Sequence, residues 1–321
     1  MRSLARQLLV ALALVSTVAD AAVPDAVVEA SAAVVQVRAL FPDGSVSRGS
    51  AVILGPARLV TNCHVVFGAR RIELVQGEYS YPAVLHATDT ERDLCYLEAA
   101  LAQPRLQPRE DLATGERIFA VGFPAGSGLR ITEGWVVALH DYEGVKVIQG
   151  SAPFNPGCSG GALLDERGRL AGIITFKDPK GGPFHFALPA AWLDTPAFGE
   201  RQQHSTSGAR AFWQRQGNKL PYFLRAALLE AEENWAALGT LARHWLNVQP
   251  LNSGAWKALG QAYQHLGREK DAVAAFAAAR QTESRRKFRS DRTVPSAETP
   301  SPASPTAEAA AFSASGSVSG N

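Results

Sequence analysis

The stretch Asn155-Pro156-Gly157-Cys158-Ser159-Gly160-Gly161-Ala162-Leu163 decides how the whole chain is interpreted. A serine hydroxyl is a weak nucleophile, and it needs a base, a group that orients the base and donors for a developing oxyanion. This stretch contains a candidate nucleophile, Ser159, and candidate oxyanion donors, the backbone N–H groups of Gly157 and Ser159. Glycines on either side allow the tight turn that brings these groups together. Read alone, the same residues are also typical of a flexible turn.

Two upstream stretches contain the missing partners. His64 lies in Thr61-Asn62-Cys63-His64-Val65-Val66, after a short apolar run, where a strand is expected to give way to a turn. Asp93 opens a second apolar run, Leu94 to Leu97. The order His64, Asp93, Ser159 is that of chymotrypsin rather than of subtilisin or the α/β-hydrolases. A core histidine and a turn aspartate are ordinary alternatives, so it is the conjunction of three motifs that predicts a catalytic triad.

These stretches resemble the trypsin-like serine proteases, and among them the HtrA/Deg branch. The family segments TN-x-HVV, D-L-x-x-L and NPG-x-SGG-x-L are similar to residues 61–66, 93–97 and 155–163. The resemblance runs from about Val34 to Pro189, where Phe186-Ala187-Leu188-Pro189 is similar to the family's FAIP. It implies two β-barrels with the active site in the cleft between them. It also implies hydrolysis of peptide bonds through an acyl-enzyme, with polypeptides as substrates.

The resemblance further implies a primary specificity pocket. Its base is expected at Pro153, six residues before Ser159, and its walls near Thr175, Phe176 and Phe186. A carboxylate at the base would be needed to favour Arg or Lys. Because Pro153 offers none, small or medium apolar side chains are expected to be preferred.

The residue before the nucleophile is Cys158. Trypsin has an acidic residue there, which receives the freed N-terminus on zymogen cleavage, so that form of activation is not expected here. Viral chymotrypsin-like proteases use a cysteine nucleophile, which makes Cys158 a rival nucleophile. Ser159 directly precedes the Gly160-Gly161 pair, and this position favours serine.

Three cysteines allow at most one intramolecular disulfide. In the implied triad, His64 and Asp93 are hydrogen-bonded, and their backbones therefore run close together. This brings Cys63 and Cys95 within the Cα separation that a disulfide needs. A Cys63–Cys95 bond with Cys158 free and buried is predicted; the alternative is three small thiols packed as hydrophobes.

Residues 1–21 have the features of a signal peptide. Arg2 and Arg6 precede an apolar core, Leu8 to Val18, and Ala19-Asp20-Ala21 fits a cleavage site. The alternative, a membrane anchor, is disfavoured because the apolar run is too short to span a bilayer comfortably. We therefore expect a periplasmic or secreted protein without a membrane span.

Neither the net charge nor the spacing of His and Cys favours nucleic-acid binding or a metal site. A net charge of +2 over 321 residues gives no argument for nucleic-acid binding. Seven histidines and three cysteines show no zinc-type spacing. No metal site and no cofactor are predicted.

Residues 22–198 are predicted to form an all-β, trypsin-like double six-stranded barrel. Short β-type runs alternate with turn residues such as Glu143-Gly144 and Glu166-Arg167-Gly168. Closure into barrels hides the strand edges. The twelve predicted strands are Val34–Leu40, Ser50–Leu54, Arg58–Thr61, Arg71–Gln76, Tyr81–Ala87, Leu94–Glu98, Arg117–Gly122, Ile131–Leu139, Val145–Gln149, Ala162–Leu164, Leu170–Phe176 and His185–Leu188.

The character of the chain changes after the barrels. Residues 199–218 are interpreted as a linker, 219–284 as tetratricopeptide-like helical repeats and 285–321 as a disordered tail. The positions of Trp256, Gly260, Tyr263 and Phe276 look like the tetratricopeptide pattern. The repeats are interpreted as a docking module for a protein partner or, alternatively, as a helical appendage packed on the protease.

Two functions from different classes follow. The first is an exported serine endopeptidase that uses His64, Asp93 and Ser159. The second is a non-catalytic, protease-like scaffold that binds exported polypeptides through its helical repeats. The intact triad and the glycine-rich turn favour the first.

Overall fold

The computed structural model describes residues 22–101, 105–177, 185–193, 203–204 and 210–290. The predicted signal peptide and residues 291–321 of the predicted tail lie outside this range. Two closed barrels of six antiparallel strands are followed by four helices. The predicted fold class is confirmed.

The first barrel has the strand order β5-β4-β1-β2-β3-β6, and pairing of β5 with β6 closes it. A short helix α1, Asp25–Ser31, precedes it, and the four-residue helix α2, Cys63–Val66, follows β3. In β1, Val35, Val37 and Ala39 alternate with more exposed residues, as expected for a strand with one face in the core. The strands are β1 Val34–Leu40, β2 Val46–Gly55, β3 Arg58–Thr61, β4 Arg71–Gln76, β5 Tyr79–Asp89 and β6 Leu94–Glu98.

The second barrel has the order β10-β11-β12-β9-β8-β7. Glu143 and Gly144 join β8 to β9 with φ angles of 49° and 82°. Positive φ at both central residues is the mark of a type I′ hairpin turn, which Gly144 adopts without strain. The strands are β7 Arg117–Gly122, β8 Arg130–Tyr142, β9 Val145–Gly150, β10 Ala162–Asp165, β11 Leu170–Lys177 and β12 His185–Pro189.

Several strands are longer than predicted. β2 begins at Val46 rather than Ser50, and β8 extends to Tyr142 rather than Leu139. The added residues pair with a neighbouring strand, for example Ser47 with Ala39, and most of them are partly or fully exposed. Backbone pairing continues where the apolar pattern has stopped, so the pattern alone underestimates strand length. A two-residue strand β13, Gln203–His204, also pairs in parallel with β5, inside the predicted linker.

Four helices follow: α3 Tyr222–Ala231, α4 Trp235–Val248, α5 Ser253–His265 and α6 Glu269–Ser290. Asn234 and Asn252 cap α4 and α5, because their side chains accept hydrogen bonds from the N–H groups of Ala237 and Ala255, at 3.2 and 3.1 Å. The helical prediction is correct here. Assignment of these helices to the tetratricopeptide type remains a prediction. Among the described helices, none is long and apolar enough to cross a membrane.

An aromatic seam connects the second barrel to the chain that follows it. We use this name for Tyr142, Phe176, Phe186, Trp192, Phe212, Trp213 and Phe223. Phe212 is fully buried, with its ring centroid 4.7 Å from that of Tyr142. Phe223, on α3, stacks 4.6 Å from His140 on β8. The segment from Ala211, within the predicted linker, is thus packed against the barrels, while the predicted domain limits remain predictions.

Candidate active site

The candidate base and its orienting carboxylate both belong to the first barrel. His64 lies on α2, directly after β3, and Asp93 lies directly before β6. The Asp93 carboxylate accepts from the backbone N–H of His64 at 2.9 Å through Oδ1, and Oδ2 lies 2.7 Å from His64 Nδ1. The Asp93 side chain is 2% exposed and that of His64 is 29% exposed. The ring is thus fixed from one side by a buried carboxylate and remains open to solvent.

Main-chain contacts hold these two residues in place. Asp93 adopts φ 62°, a left-handed conformation that aspartate tolerates better than most residues. Its carbonyl oxygen accepts from Cys63 N at 3.2 Å and from Asn62 Nδ2 at 2.9 Å. A disulfide joins Cys63 to Cys95, with their Cα atoms 4.8 Å apart. The residue before the base is therefore linked covalently to the residue two positions after the carboxylate.

The glycine-rich turn before Ser159 is fixed by its own hydrogen bonds. Cys158 N donates to Asn155 O at 3.0 Å, and Gly157 between them has φ 99°. Proline at the second position and positive φ at the third are the signature of a type II turn. A Cβ at Gly157 would strike the backbone nitrogen of Ala125, so the position requires glycine on steric as well as conformational grounds.

The orientation of the Pro156–Gly157 peptide is set by Ala125. Its N–H donates to Pro156 O at 2.8 Å. Because C=O and N–H point in opposite directions across a trans peptide, the N–H of Gly157 points away from Ala125. Among the hydrogen bonds of the described residues, none uses the N–H of Gly157 or of Ser159. Two free N–H groups beside a serine hydroxyl can bind an oxyanion.

Ser50, a fully buried residue of β2, ties this turn to the first barrel. Its hydroxyl donates to Gly157 O at 2.9 Å and accepts from Phe123 N at 2.9 Å. Its backbone N–H donates to Ser159 O at 2.8 Å. Sequence reasoning missed Ser50, because no local pattern distinguishes it from any other strand serine.

Ser159 is partly exposed, and its hydroxyl donates to Thr175 O at 3.2 Å. The neighbouring Cys158 is 4% exposed, and burial raises the pKa of its thiol. A buried thiol with a raised pKa is a poor nucleophile, because the thiolate is the reactive form. Ser159 is therefore the better candidate nucleophile.

The structure brings together three of the four predicted pocket residues. Phe176 stacks on Phe186 at 4.7 Å, next to Thr175 in β11. The Thr175 hydroxyl is used internally, since it donates to Ile173 O at 3.0 Å and accepts from Asn62. Pro153 is exposed, and its carbonyl accepts from Thr132 Oγ1 at 2.6 Å. The specificity pocket remains a prediction.

Sequence reasoning missed a second residue, Trp213. Its indole Nε1 donates to Asp93 Oδ2 at 3.3 Å, and its ring lies edge-on to His64 with centroids 5.6 Å apart. It also stacks on Phe176 at 4.9 Å. No signal in the sequence connects Trp213 to Asp93, because the two residues are separated by 120 positions.

Comparisons with known proteins show what part of the chain is similar to. Residues 49–173 match the family model described as a trypsin-like peptidase domain. The matched residues include His64, Asp93 and Ser159. Part of this chain is therefore similar to the trypsin-like peptidases.

Two curated relatives are serine endoproteases that are similar to part of this chain. The periplasmic pH-dependent serine endoprotease DegQ of Escherichia coli is 34% identical over 164 residues, covering 46% of this chain and 36% of that protein. A probable periplasmic serine endoprotease, DegP-like, of Buchnera aphidicola is 34% identical over 158 residues, covering 44% and 34% respectively. The chain thus spans about a third of the length of these relatives.

Among solved structures, the Rv3671c protease of M. tuberculosis in its active form has a TM-score of 0.51 at 23% identity. The alignment covers 58% of this chain and 88% of that one. This similarity supports the double-barrel fold.

Proposed function

We propose that the chain is an exported serine endopeptidase. The observation that carries this proposal is the pair of contacts between the Asp93 carboxylate and His64, at 2.9 Å to the backbone nitrogen and 2.7 Å to Nδ1. In the same chain, Ser159 directly follows a type II turn that is fixed by hydrogen bonds. A buried carboxylate at Nδ1 leaves Nε2 as the basic nitrogen that faces a nucleophile.

The proposed reaction proceeds in two halves. The Ser159 hydroxyl turns from Thr175 O to His64 Nε2 and attacks the carbonyl carbon of a peptide bond while His64 takes its proton. The negative charge that forms on the carbonyl oxygen is met by the N–H groups of Gly157 and Ser159. Collapse of this intermediate expels the amine, which receives the proton from His64. Water then hydrolyses the acyl-enzyme by the same steps.

Substrate preference, export and helix-mediated docking belong to the same proposal. A site walled by Thr175, Phe176 and Phe186 suits a small or medium apolar side chain. Cleavage after residue 21 would release the mature protein into the periplasm or the medium, where the Cys63–Cys95 bond persists. The helices from Tyr222 onwards would bind a protein partner as repeats of the tetratricopeptide type.

A fluorophosphonate labelling assay on purified mature protein tests the catalytic proposal. We expect rapid labelling of the native protein, a modified peptide that contains Ser159, and no labelling of Ser159→Ala. Labelling that persists in Ser159→Ala, or native protein that is folded yet unreactive, would overturn it and favour a scaffold.

A further inference from the structure

Trp213 reaches the candidate triad from outside both barrels. It lies in a 3₁₀ turn, Phe212–Gln214, between β13 and α3. From there its indole Nε1 donates to Asp93 Oδ2 at 3.3 Å. The same oxygen lies 2.7 Å from His64 Nδ1. One carboxylate oxygen is therefore shared between the ring of the base and the indole of Trp213.

The position of the indole is fixed on several sides. Its ring stacks on Phe176, with planes 11° apart, and stands nearly perpendicular to His64, at 83°. The preceding Phe212 is fully buried, and its N–H donates to Glu91 O at 2.9 Å, two residues before Asp93. Arg215, after the turn, forms an ion pair with Glu91 at 4.0 Å. The turn is therefore anchored to the loop that carries the carboxylate.

With Trp213 present, the Asp93 carboxylate receives three donors. Oδ1 takes the backbone N–H of His64, and Oδ2 takes the imidazole and the indole. Three donors leave the carboxyl plane little freedom to rotate, and the indole covers a group that is 1% exposed.

We propose that Trp213 is a positioning residue of the triad, which orients Asp93 and through it His64. The post-barrel segment would then be part of the catalytic unit. The kinetic consequence rests on the proposed function, whereas the positioning itself does not.

Trp213→Phe removes the indole N–H and keeps an aromatic ring against Phe176 and His64. We expect the rate of fluorophosphonate labelling and kcat to fall about tenfold, with KM and Tm nearly unchanged. Trp235→Phe is the matched control, since Trp235 stacks on His265 within the helices and should leave all these values unchanged.

A second measurement separates this inference from the proposed function. In a Ser159→Ala background, the downfield proton resonance of His64 Nδ1–H reports on the bond to Asp93 without any catalysis. We expect Trp213→Phe to shift this resonance and speed its exchange with water, and Trp235→Phe to leave it unchanged. An unaltered resonance in Trp213→Phe overturns the positioning role. A shifted resonance in a protein that fluorophosphonate does not label overturns the peptidase and leaves the positioning role intact.

Discussion

The two barrels hold their parts of the candidate site in different ways. The first barrel carries His64 and Asp93, whose neighbours Cys63 and Cys95 share a disulfide. The second carries Ser159 and the Gly157 turn, and hydrogen bonds from Ser50 of the first barrel hold that turn in place. The base and its carboxylate are linked covalently through their neighbours in the first barrel, with one further contact from Trp213 after the barrels. The turn before the nucleophile is held both by Ala125 of its own barrel and by Ser50 across the contact between the barrels.

The comparison is tested most directly by asking whether Asp93 of the first barrel and Ser159 of the second contribute to turnover together or independently. Ser159→Ala should reduce turnover about 10⁴-fold or more, because only the nucleophile is lost. Asp93→Asn should reduce turnover by a similar factor. The double variant should be hardly worse than either single variant, as cleavage of casein or a peptide would show. Additive losses would mean that the barrels contribute independently.

The disulfide should account for much of the first barrel's rigidity. Replacing Cys63 and Cys95 by Ala removes a link across 32 positions, which the chain-entropy model values at about 4 kcal/mol of unfolding free energy. Urea unfolding measures the loss.

A separate experiment tests the bond itself in the protein that retains all three cysteines. Alkylation of the denatured, non-reduced protein should modify one cysteine, Cys158, in intact-mass analysis. Three modified cysteines in protein from an oxidising compartment would rule the bond out.

The second barrel should respond to pH through His140. Burial, opposed by a hydrogen bond to Gln149 Oε1, lowers the pKa of His140 to about 4 from 6.5. The unfolded chain therefore binds a proton that the folded chain rejects, and stability should fall as the pH drops from about 6.5 to about 4, by at most about 3 kcal/mol. Below that range His140 is protonated in both the folded and the unfolded chain, so the lost free energy of unfolding is not regained.

His140→Phe keeps a ring against Phe223 on α3 but cannot titrate. Thermal unfolding at pH 7 and pH 4.5 compares the two proteins. The native protein should lose more stability than the variant over this interval. Equal losses would show that other groups determine the acid response.

The smallest expected effect concerns the link between the barrels. Ser50→Ala leaves Gly157 O and Phe123 N without the hydroxyl partner, which should lower stability by about 1–3 kcal/mol. It should also lower kcat about tenfold, with less change in KM, because the oxyanion turn loses its support. Ser127→Ala is the matched control, because its hydroxyl donates to Pro124 O in the adjacent, partly buried turn. Equal kcat and KM values in the two variants would show that the turn keeps its conformation without the Ser50 hydroxyl.

The sequence by itself determined the double barrel, the helical region after it and the candidate residues His64, Asp93 and Ser159. These features are encoded locally, in alternating apolar residues, in turn glycines and in short motifs. The pairing of Cys63 with Cys95 could also be anticipated, because both cysteines lie within two positions of residues already expected to meet.

Only the tertiary structure decided which other residues support the site. Ser50 meets Gly157 across 107 positions, and Trp213 meets Asp93 across 120. Neither Ser50, in a strand, nor Trp213, after the second barrel, belongs to a periodic pattern, a motif spacing or a turn that would identify its distant partner. Such contacts depend on how the barrels and the following segment pack together. Packing is a property of the folded chain as a whole, and for this reason the local pattern could not contain it.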